Sequence, residues 1–441
     1  MFTRRDVVGA GVAMAAVPAF AAPTPDKFVR REGMRFTIEA KPYRYAGANI
    51  WYGAWLGADA PYGDRDRLRR ELDALAALGV TNLRVLASSE KSPLLRAVEP
   101  AMHDGRGHYD PALLGGLDFL LAEMAKRHMR AVLYLTNFWE WSGGMMTYLS
   151  YVDHGRYINM GDPAHPWPEF PDYVAKFYGR PDAVALYRAH IRAIVGRTNR
   201  VTGTAYASDP TIMAWQLANE PRPGGSDAVG LKALPAFHAW TQSSAKLIKA
   251  LAPRQLVSTG SEGLKGSLER AEIVKTTHAL PEIDYLTCHV WPLNWGWIDA
   301  ANLAATEESG AAKVADYVDQ HIRIAKDLGK PLVIEEFGYP RDGGSYDPAA
   351  TTAFKDRYYR QIYGAVEADV KRGGPIAGSN FWAWSGEGRA AHADHRFLPG
   401  DKSWLGDPPH EPQGWYGVFG SDDSTKAVIR DHAAAIATPV A

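Results

Sequence analysis

The sequence predicts an α/β protein with a (β/α)8 barrel, the TIM-barrel architecture, as a single domain over residues 23–441 with long loops at its C-terminal face. Three observations predict this fold: eight short apolar runs, helical patterns between most of them, and an even composition along the 441 residues. Eight parallel strands close such a barrel, and one barrel domain normally uses more than 200 residues.

The eight apolar runs are the predicted strands. Most contain few polar positions, as strands that are buried on both faces require. In chain order they are residues 45–50, 82–87, 131–136, 212–219, 256–260, 285–290, 332–337 and 379–384. A doubly wound open sheet is the alternative, but no glycine-rich phosphate loop follows the first run, where that fold usually carries one.

Helical periodicity fills most of the connections between these runs. The predicted helices are residues 66–78, 111–128, 182–197, 235–251, 311–328 and 351–372, with a last one at 424–436. Several end at glycine or basic residues directly before the next strand, which is typical of helix C-termini. Strands that alternate with helices in this way indicate a parallel sheet.

Residues 1–22 are predicted to be an export signal, most similar to the twin-arginine type. Arg4 and Arg5 precede an alanine- and glycine-rich run, and residues 19–21 read Ala-Phe-Ala, a small-x-small cleavage pattern. An ordinary secretory signal with two arginines is the alternative. Either signal predicts a secreted or periplasmic protein.

Composition narrows the range of partners. The formal net charge is −1, so the sequence gives no reason to expect a nucleic acid or a membrane as partner. The single cysteine, Cys288, excludes an internal disulfide, and its apolar surroundings predict a buried thiol. The sequence has no metal-ligand spacing and no cofactor motif, so we expect no metal and no cofactor. We also expect a monomeric protein.

Polar and aromatic residues follow nearly every predicted strand, where a barrel carries its active site. Strand four ends in Asn219-Glu220-Pro-Arg222, and strand seven ends in Glu335-Glu336. Other strands deliver Arg84, Trp139, His289, Trp291 and Trp382. Carboxylates on strands four and seven face each other across the barrel mouth, as cleavage of a glycosidic bond requires.

This pair predicts two roles. Glu220 would protonate the leaving oxygen, which requires a raised pKa, while Arg84 and His289 would orient an ionised nucleophile. A separation near 5 Å would give retention of configuration. Neighbouring strand residues point to opposite faces, so either Glu335 or Glu336 must point away, and alternation alone does not say which.

In these residues the sequence resembles glycoside hydrolase family 5, over almost the whole chain after the signal. The matching positions are Arg84, Asn219, Glu220, His289, Glu336 and Trp382. The resemblance implies a retaining hydrolase with Glu220 as acid/base. It implies that Glu336 is the nucleophile, because the family's nucleophile directly precedes an aromatic-glycine pair, here Phe337-Gly338.

Further segments resemble the β-mannanases of that family. Arg222 extends the strand-four motif, and the segments around Trp51, Trp139 and Trp291 resemble mannanase subsites. The resemblance implies endo-acting hydrolysis of β-1,4-mannosidic linkages in mannan, glucomannan or galactomannan, with tryptophans as sugar platforms. Trp291 departs from the family, which often has a tyrosine there that hydrogen-bonds the nucleophile.

Three alternatives remain at this point. A cellulase-like β-1,4-glucanase and an exo-β-mannosidase would use the same two carboxylates, and a non-catalytic carbohydrate-binding barrel would not need them. Two long connections, residues 142–181 and 385–418, exceed ordinary loops. We expect them to wall the cleft and to decide between endo and exo action.

Overall fold

A computed structural model describes residues 27–437, so the predicted export signal lies outside the described residues. Its central sheet has eight parallel strands. They are β4 (Tyr45–Asn49), β5 (Val80–Leu86), β6 (Arg130–Tyr134), β7 (Ile212–Gln216), β8 (Leu256–Ser258), β9 (Leu286–Val290), β10 (Leu332–Phe337) and β11 (Ile376–Phe381). The order β8-β7-β6-β5-β4-β11-β10-β9 follows the chain around a ring.

The ring closes between its two ends. The backbone N–H of Asp284 donates to Val257 at 2.8 Å, and that of His289 donates to Glu262 at 3.2 Å, which joins β8 to β9. The (β/α)8 prediction is therefore confirmed. Each predicted strand corresponds to one observed strand, with the bounds shifted by a few residues.

Helices surround the ring, and three of them begin with a side-chain N-cap. The helices that connect the strands are α2 (Arg65–Ala77), α3 (Pro111–Lys126), α6 (Pro181–Val195), α7 (Asp227–Leu251), α8 (Ala271–Ala279), α9 (Leu303–Leu328), α10 (Ala353–Lys371) and α11 (Asp423–Ala437). The side chains of Asp64, Asp110 and Ser226 accept hydrogen bonds from the first turns of α2, α3 and α7. The sequence pattern did not reveal α8, a helix of nine residues. Within the described part of the chain, no helix is both long and apolar enough to cross a membrane.

A small antiparallel sheet precedes the barrel. It consists of β1 (Arg30–Glu32), β2 (Arg35–Ile38) and β3 (Lys41–Tyr43), and Phe36 packs edge-on against Tyr285 of the barrel at 5.3 Å. The sequence analysis did not predict this sheet, because strands of three or four residues are too short to show a period.

The connections at the opposite end of the barrel are longer, and they contain short helices and strands. The β6–α6 connection contains α4 (Gly144–Val152) and α5 (Glu169–Val174), while α1 (Gly53–Leu56) follows β4. After β11 the chain forms β12 (Trp384–Gly386) and β13 (Val418–Phe419), which pair in parallel. These segments surround the cavity that contains the predicted site.

Candidate active site

The two predicted catalytic carboxylates face each other at the C-terminal end of the barrel. Glu220 follows β7 and is 7% exposed, and Glu336 lies in β10 and is 3% exposed. A carboxylate oxygen of each, together with a ring nitrogen of His289, lies within 4.8 Å of the other two. This upper limit is closer to the separation of about 5–5.5 Å between a nucleophile and an acid/base carboxyl group than to the wider separation of about 6.5–9.5 Å that leaves room for a water between them.

The backbone at Glu220 is held in a conformation that few non-glycine residues adopt. Its φ is 50°, in the left-handed region, which costs about 1–3 kcal/mol. Hydrogen bonds on either side fix it: Glu220 N–H donates to Gly260 O and Asn219 N–H donates to Thr136 O, both at 2.8 Å. The side chain is thereby turned out of the sheet and into the mouth of the barrel.

Arg84 joins the nucleophile candidate to the surrounding strands. Its fully buried guanidinium donates to the Glu336 carboxylate, and also to the side-chain oxygens of Asn219 and Gln216, both at 2.8 Å. Burial lowers the pKa of Arg84, but the charges of Glu335 and Glu336 outweigh that effect and raise it overall. A fixed positive charge therefore lies against Glu336.

His289 contacts both carboxylates rather than the nucleophile alone. Its Nδ1 lies 2.5 Å from Glu220 Oε1 and 3.2 Å from Glu336 Oε2. Burial lowers the pKa of His289, but the charge of Glu336, the hydrogen bond to Glu220 and the nearby carboxylates of Glu335 and Glu336 raise it well above its usual value. The ring is therefore an imidazolium that donates a hydrogen bond to Glu220.

The expected rise in the pKa of Glu220 is wrong for this arrangement. Burial raises that pKa, but the hydrogen bond and charge of His289, with smaller effects of Arg222 and the Trp139 N–H, lower it to about 2. Glu220 and His289 thus have one acidic proton between them across their 2.5 Å contact, and in this arrangement that proton is bonded to His289. The two residues form one coupled acid/base unit.

The alternation of side chains between the two faces of the strand is interrupted at Glu335, so the expectation that one of the two glutamates points away is wrong. The pairing of β10 with β9 is shifted between Ile334 and Glu336, so that Ile334 pairs with Cys288 and Glu336 with the next residue, His289. Because of this bulge, Glu335 also faces the barrel interior, where its Oε1 accepts a 2.6 Å hydrogen bond from Gln216. Neither glutamate points away from the barrel.

Five of the predicted binding residues line a cavity of about 800 Å³ beside the two carboxylates. They are Asn219, Arg222, Trp139, Trp291 and Trp382. The indole N–H of Trp139 donates to Glu220. The Arg222 guanidinium lies over the Trp139 ring at 4.7 Å and forms an ion pair with Glu262. Their roles toward a sugar stay predictions.

Trp291 packs against Tyr416 at 5.0 Å and Trp382 at 6.0 Å. Among residues 27–437, it makes no hydrogen bond to Glu336, whose partners there are Arg84 and His289. These two cationic side chains therefore bind the carboxylate where the family often uses a tyrosine.

Trp51 and Trp384 do not line the cavity. Trp51 is 1% exposed, and its indole N–H donates to Gly406 O at 2.9 Å behind Trp141, which does line it. The last barrel strand ends at Phe381, before the predicted bound at residue 384, so Trp382 and Trp384 do not share a strand face. Its N–H instead donates to the Glu71 carboxylate at 2.6 Å.

Two cavity residues, His410 and Glu411, were missed by the sequence analysis. Both lie in the 385–418 connection and line the cavity, where the His410 ring stacks on Trp141 and Glu411 lies beside Trp382. Neither belongs to a regular element, so only the unusual length of the connection indicated that it has a function.

A (β/α)8 barrel that carries two buried carboxylates at the ends of its fourth and seventh strands defines a glycoside hydrolase, and the chain has the fold and the site of this class of enzyme. The chain belongs to glycoside hydrolase family 5: residues 26–440 match the family model described as "GH family 5 beta-mannosidase-like".

The chain is also similar in sequence to mannan endo-1,4-beta-mannosidases of plants. A putative mannan endo-1,4-beta-mannosidase 9 of Oryza sativa subsp. japonica is 30% identical over 93% of this chain and 90% of its own. Mannan endo-1,4-beta-mannosidase 7 of Arabidopsis thaliana is 29% identical over 80% of this chain and 77% of its own.

A solved structure is similar over nearly its full length. The glycoside hydrolase family 5 mannosidase of Rhizomucor miehei is 35% identical, with a TM-score of 0.84, and the match covers 93% of this chain and 98% of that one. A variant of that protein was solved in complex with mannosyl-fructose, and it matches with a TM-score of 0.85.

Proposed function

We propose that this protein hydrolyses β-mannosidic bonds with retention of configuration and that it removes single mannose units from the non-reducing end of manno-oligosaccharides. The observation that carries the proposal is the burial of the cavity lining. Buried residues wall the cavity next to the strand of Glu336, which we call its closed end, whereas an exposed tryptophan, Trp167, stacks on the Trp139 that binds Glu220 and marks the open end. The closed end favours exo action over the endo action that the sequence led us to expect.

The closed end is formed by buried residues. Trp141 is 2%, Trp382 3% and Glu411 9% exposed, and the ring of His410 stacks on Trp141 at 6.3 Å. The backbone N–H of Trp382 donates to Phe337 O at 2.9 Å, which ties this wall to the strand of Glu336. The sugar that is attacked lies over the nucleophile, so the wall leaves room for one unit beyond the cleaved bond.

This wall also carries polar groups that suit the hydroxyls of a terminal sugar. His410 Nδ1 and Glu411 Oε2 are buried and have no hydrogen-bond partner within the described part of the chain. Burial lowers the pKa of His410 to about 3. Burial and the charges of Asp407, Glu336 and Glu220 raise the pKa of Glu411 well above its usual value. A neutral ring and a protonated carboxyl can accept from and donate to hydroxyls without burying a charge.

The open end lies beyond Glu220. Trp167 is 61% exposed at its rim and stacks on Trp139 at 6.5 Å, and the polar side chains of Lys265 and Glu269 also line the cavity. A leaving group departs on the side of the acid, so the remaining oligosaccharide would extend along these residues. Aromatic faces pack against the apolar faces of pyranose rings.

The chemistry follows from the contacts. Glu336 attacks the anomeric carbon while Glu220, which receives the proton shared with His289, protonates the leaving oxygen. The glycosyl ester then forms on Glu336, and its negative charge is lost. Water, deprotonated by Glu220, attacks the ester from the same face and releases the sugar with its configuration retained.

Product analysis tests the proposal. With mannohexaose we expect mannose as the first product, and with borohydride-reduced mannohexaose we still expect mannose, since the non-reducing end is unchanged. Early mannobiose and mannotriose would contradict exo action. Proton NMR of an aryl β-mannoside reaction should show β-mannose first, and α-mannose first would contradict retention. A parallel reaction with cellohexaose distinguishes the glucanase alternative.

Export also remains a proposal. We infer that residues 1–22 are removed during export, and we expect the mature protein to begin near Ala22 or Pro23, as a monomer. N-terminal sequencing of protein from the culture medium or periplasm, with sedimentation analysis, tests both points.

A further inference from the structure

Glu335 is a buried carboxylate that the proposed mechanism does not use. It has no exposed surface and lies behind Glu336, where neither solvent nor a bound sugar reaches it. One oxygen accepts the 2.6 Å hydrogen bond from Gln216, and the other lies 3.4 Å from Arg84 Nε and 3.7 Å from His289 Nε2. The interior of such a barrel is normally filled with apolar side chains, so a carboxylate there needs an explanation.

His289 lies between Glu335 and the catalytic pair. Its Nδ1 faces Glu220 and Glu336, and its Nε2 faces Glu335. Neither His289 Nε2 nor Glu335 Oε2 has a hydrogen-bond partner among the described residues, and each is the other's buried polar neighbour of opposite charge. A small movement would complete a hydrogen bond, which would fix the orientation of the ring.

Among residues 27–437, the cationic side chains within 4 Å of Glu335 are Arg84 and His289. Besides Arg84 and His289, the titratable groups whose charges interact with it are Tyr45 on β4, Tyr134 on β6, and Tyr285 and Cys288 at β9. Burial raises the pKa of each of these four groups, so all are neutral near pH 7. Glu335 therefore acts on Arg84 and His289.

The charges of the cluster show what Glu335 adds. Arg84 and the imidazolium of His289 are positive, while Glu220 and Glu336 are negative in the arrangement described above. Without Glu335 the four charges cancel. With it, the cluster has one extra buried negative charge, and such a charge makes every proton in the cluster harder to remove.

We propose that Glu335 is a positioning residue, which acts through His289 and Arg84 to keep the shared catalytic proton on the Glu220–His289 pair up to neutral pH. This inference rests on the proposed roles of Glu220 and Glu336. It adds a third carboxylate that touches neither substrate nor reacting atoms and that sets the pH range of the reaction.

The test is the pH profile of kcat/KM for Glu335→Gln, which keeps the shape of the side chain and removes its charge. We expect both limbs to move to lower pH, the basic limb by roughly one unit or more, as for a charge at this distance. Glu335→Asp retains the charge and should keep the basic limb near its original position. Glu71→Gln is the matched control: a buried glutamate, paired with Arg67 and remote from the cavity, whose loss should leave both limbs in place.

The substrate is an aryl β-mannoside, or whichever aryl β-glycoside the unmodified enzyme cleaves. An unmodified enzyme without activity on any of them contradicts the proposed function, whereas an active Glu335→Gln with unmoved limbs overturns only the role of Glu335. If that variant does not fold, ¹⁵N NMR of the His289 ring in the unmodified enzyme decides. Imidazolium shifts throughout the active pH range support the proposal, and a neutral ring at the optimum overturns it.

Discussion

Glu336 is held by two cations that are themselves fully buried, Arg84 and His289. Such an environment keeps a carboxylate ionised and oriented for attack. We therefore expect Glu336→Ala to reduce kcat by roughly four to six orders of magnitude, as loss of a catalytic nucleophile does elsewhere. The measurement is kcat on an aryl β-mannoside, with circular dichroism to show that the fold persists.

A surface glutamate provides the comparison for this variant. Glu387 is paired with Arg70 on the outside of the barrel, and Glu387→Ala should leave kcat unchanged. Activity of Glu336→Ala within tenfold of the original would contradict the nucleophile assignment. Loss of activity in both variants would indicate a general effect on folding.

The sequence predicted where the chemical groups lie better than how they interact. Glu220, Glu336, Arg84 and His289 all lie at the barrel mouth, because each follows a buried apolar run. The bulge that turns Glu335 inward depends on the register between β9 and β10, and no local pattern encodes it. The same limit explains the wrong expectation for the pKa of Glu220, which depends on a contact with His289.

The 385–418 connection forms the closed end of the cavity, and one buried carboxylate organises it. Asp407 accepts hydrogen bonds from the backbone N–H groups of Gly414, Tyr416 and Gly417 at 2.8, 2.7 and 3.2 Å. Buried Lys355 donates to Tyr416 O and Gly417 O, both at 3.1 Å, from the other side. This turn presents His410 and Glu411 to the cavity.

Asp407→Ala should loosen this wall. The change leaves three buried donors without a partner, at a cost of about 1–3 kcal/mol for each that water does not reach. We expect a raised KM, a moderate fall in Tm, and mannobiose among the early products of mannohexaose, since the closed end would admit a second unit. Chromatography of the products and a thermal melt measure these effects.

The same connection offers a control for that experiment. Asp394 is exposed and accepts a single backbone hydrogen bond, from Arg396, so Asp394→Ala should keep KM and the products unchanged. Products that remain mannose alone in Asp407→Ala, together with an unaltered KM, would contradict the role of the turn.

Regular elements and long connections differ in how far the sequence predicts them. The barrel strands carry their own signal, because burial on both faces requires an apolar run. The shape of the 385–418 connection depends on contacts between residues that are far apart in the sequence, since Lys355 of α10 and Asp407 are separated by 52 positions. The length of this connection indicated that it has a function, but the contacts that determine its shape could not be derived from the local sequence pattern.

For the whole protein, buried neutral histidines predict sensitivity to acid. Burial lowers the pKa of His278 and of His321 to about 4. Each ring donates from Nδ1 to a helix carbonyl, and its Nε2 faces a second partner, Thr259 Oγ1 for His278 and Leu264 N–H for His321. In His321 the Nε2 must accept, so the neutral ring fits the site and the imidazolium does not.

The direction of the effect follows from linkage. A folded-state pKa below the unfolded value of 6.5 means that the unfolded chain binds the proton first as the pH falls. The free energy of unfolding should therefore be unaffected by this group above about pH 6.5 and should decrease as the pH falls from 6.5 to 4. The loss is at most about 3 kcal/mol for each histidine.

His321→Gln replaces the titrating ring with an amide that does not titrate. We expect a lower stability at pH 7, because the two ring hydrogen bonds are not fully reproduced, but a smaller loss of stability between pH 7 and pH 4.5. Urea unfolding at both pH values measures the difference between variants. His154→Asn, at an exposed histidine, should leave the pH dependence unchanged, and an equal pH dependence in His321→Gln would contradict the assignment of acid sensitivity to the buried ring.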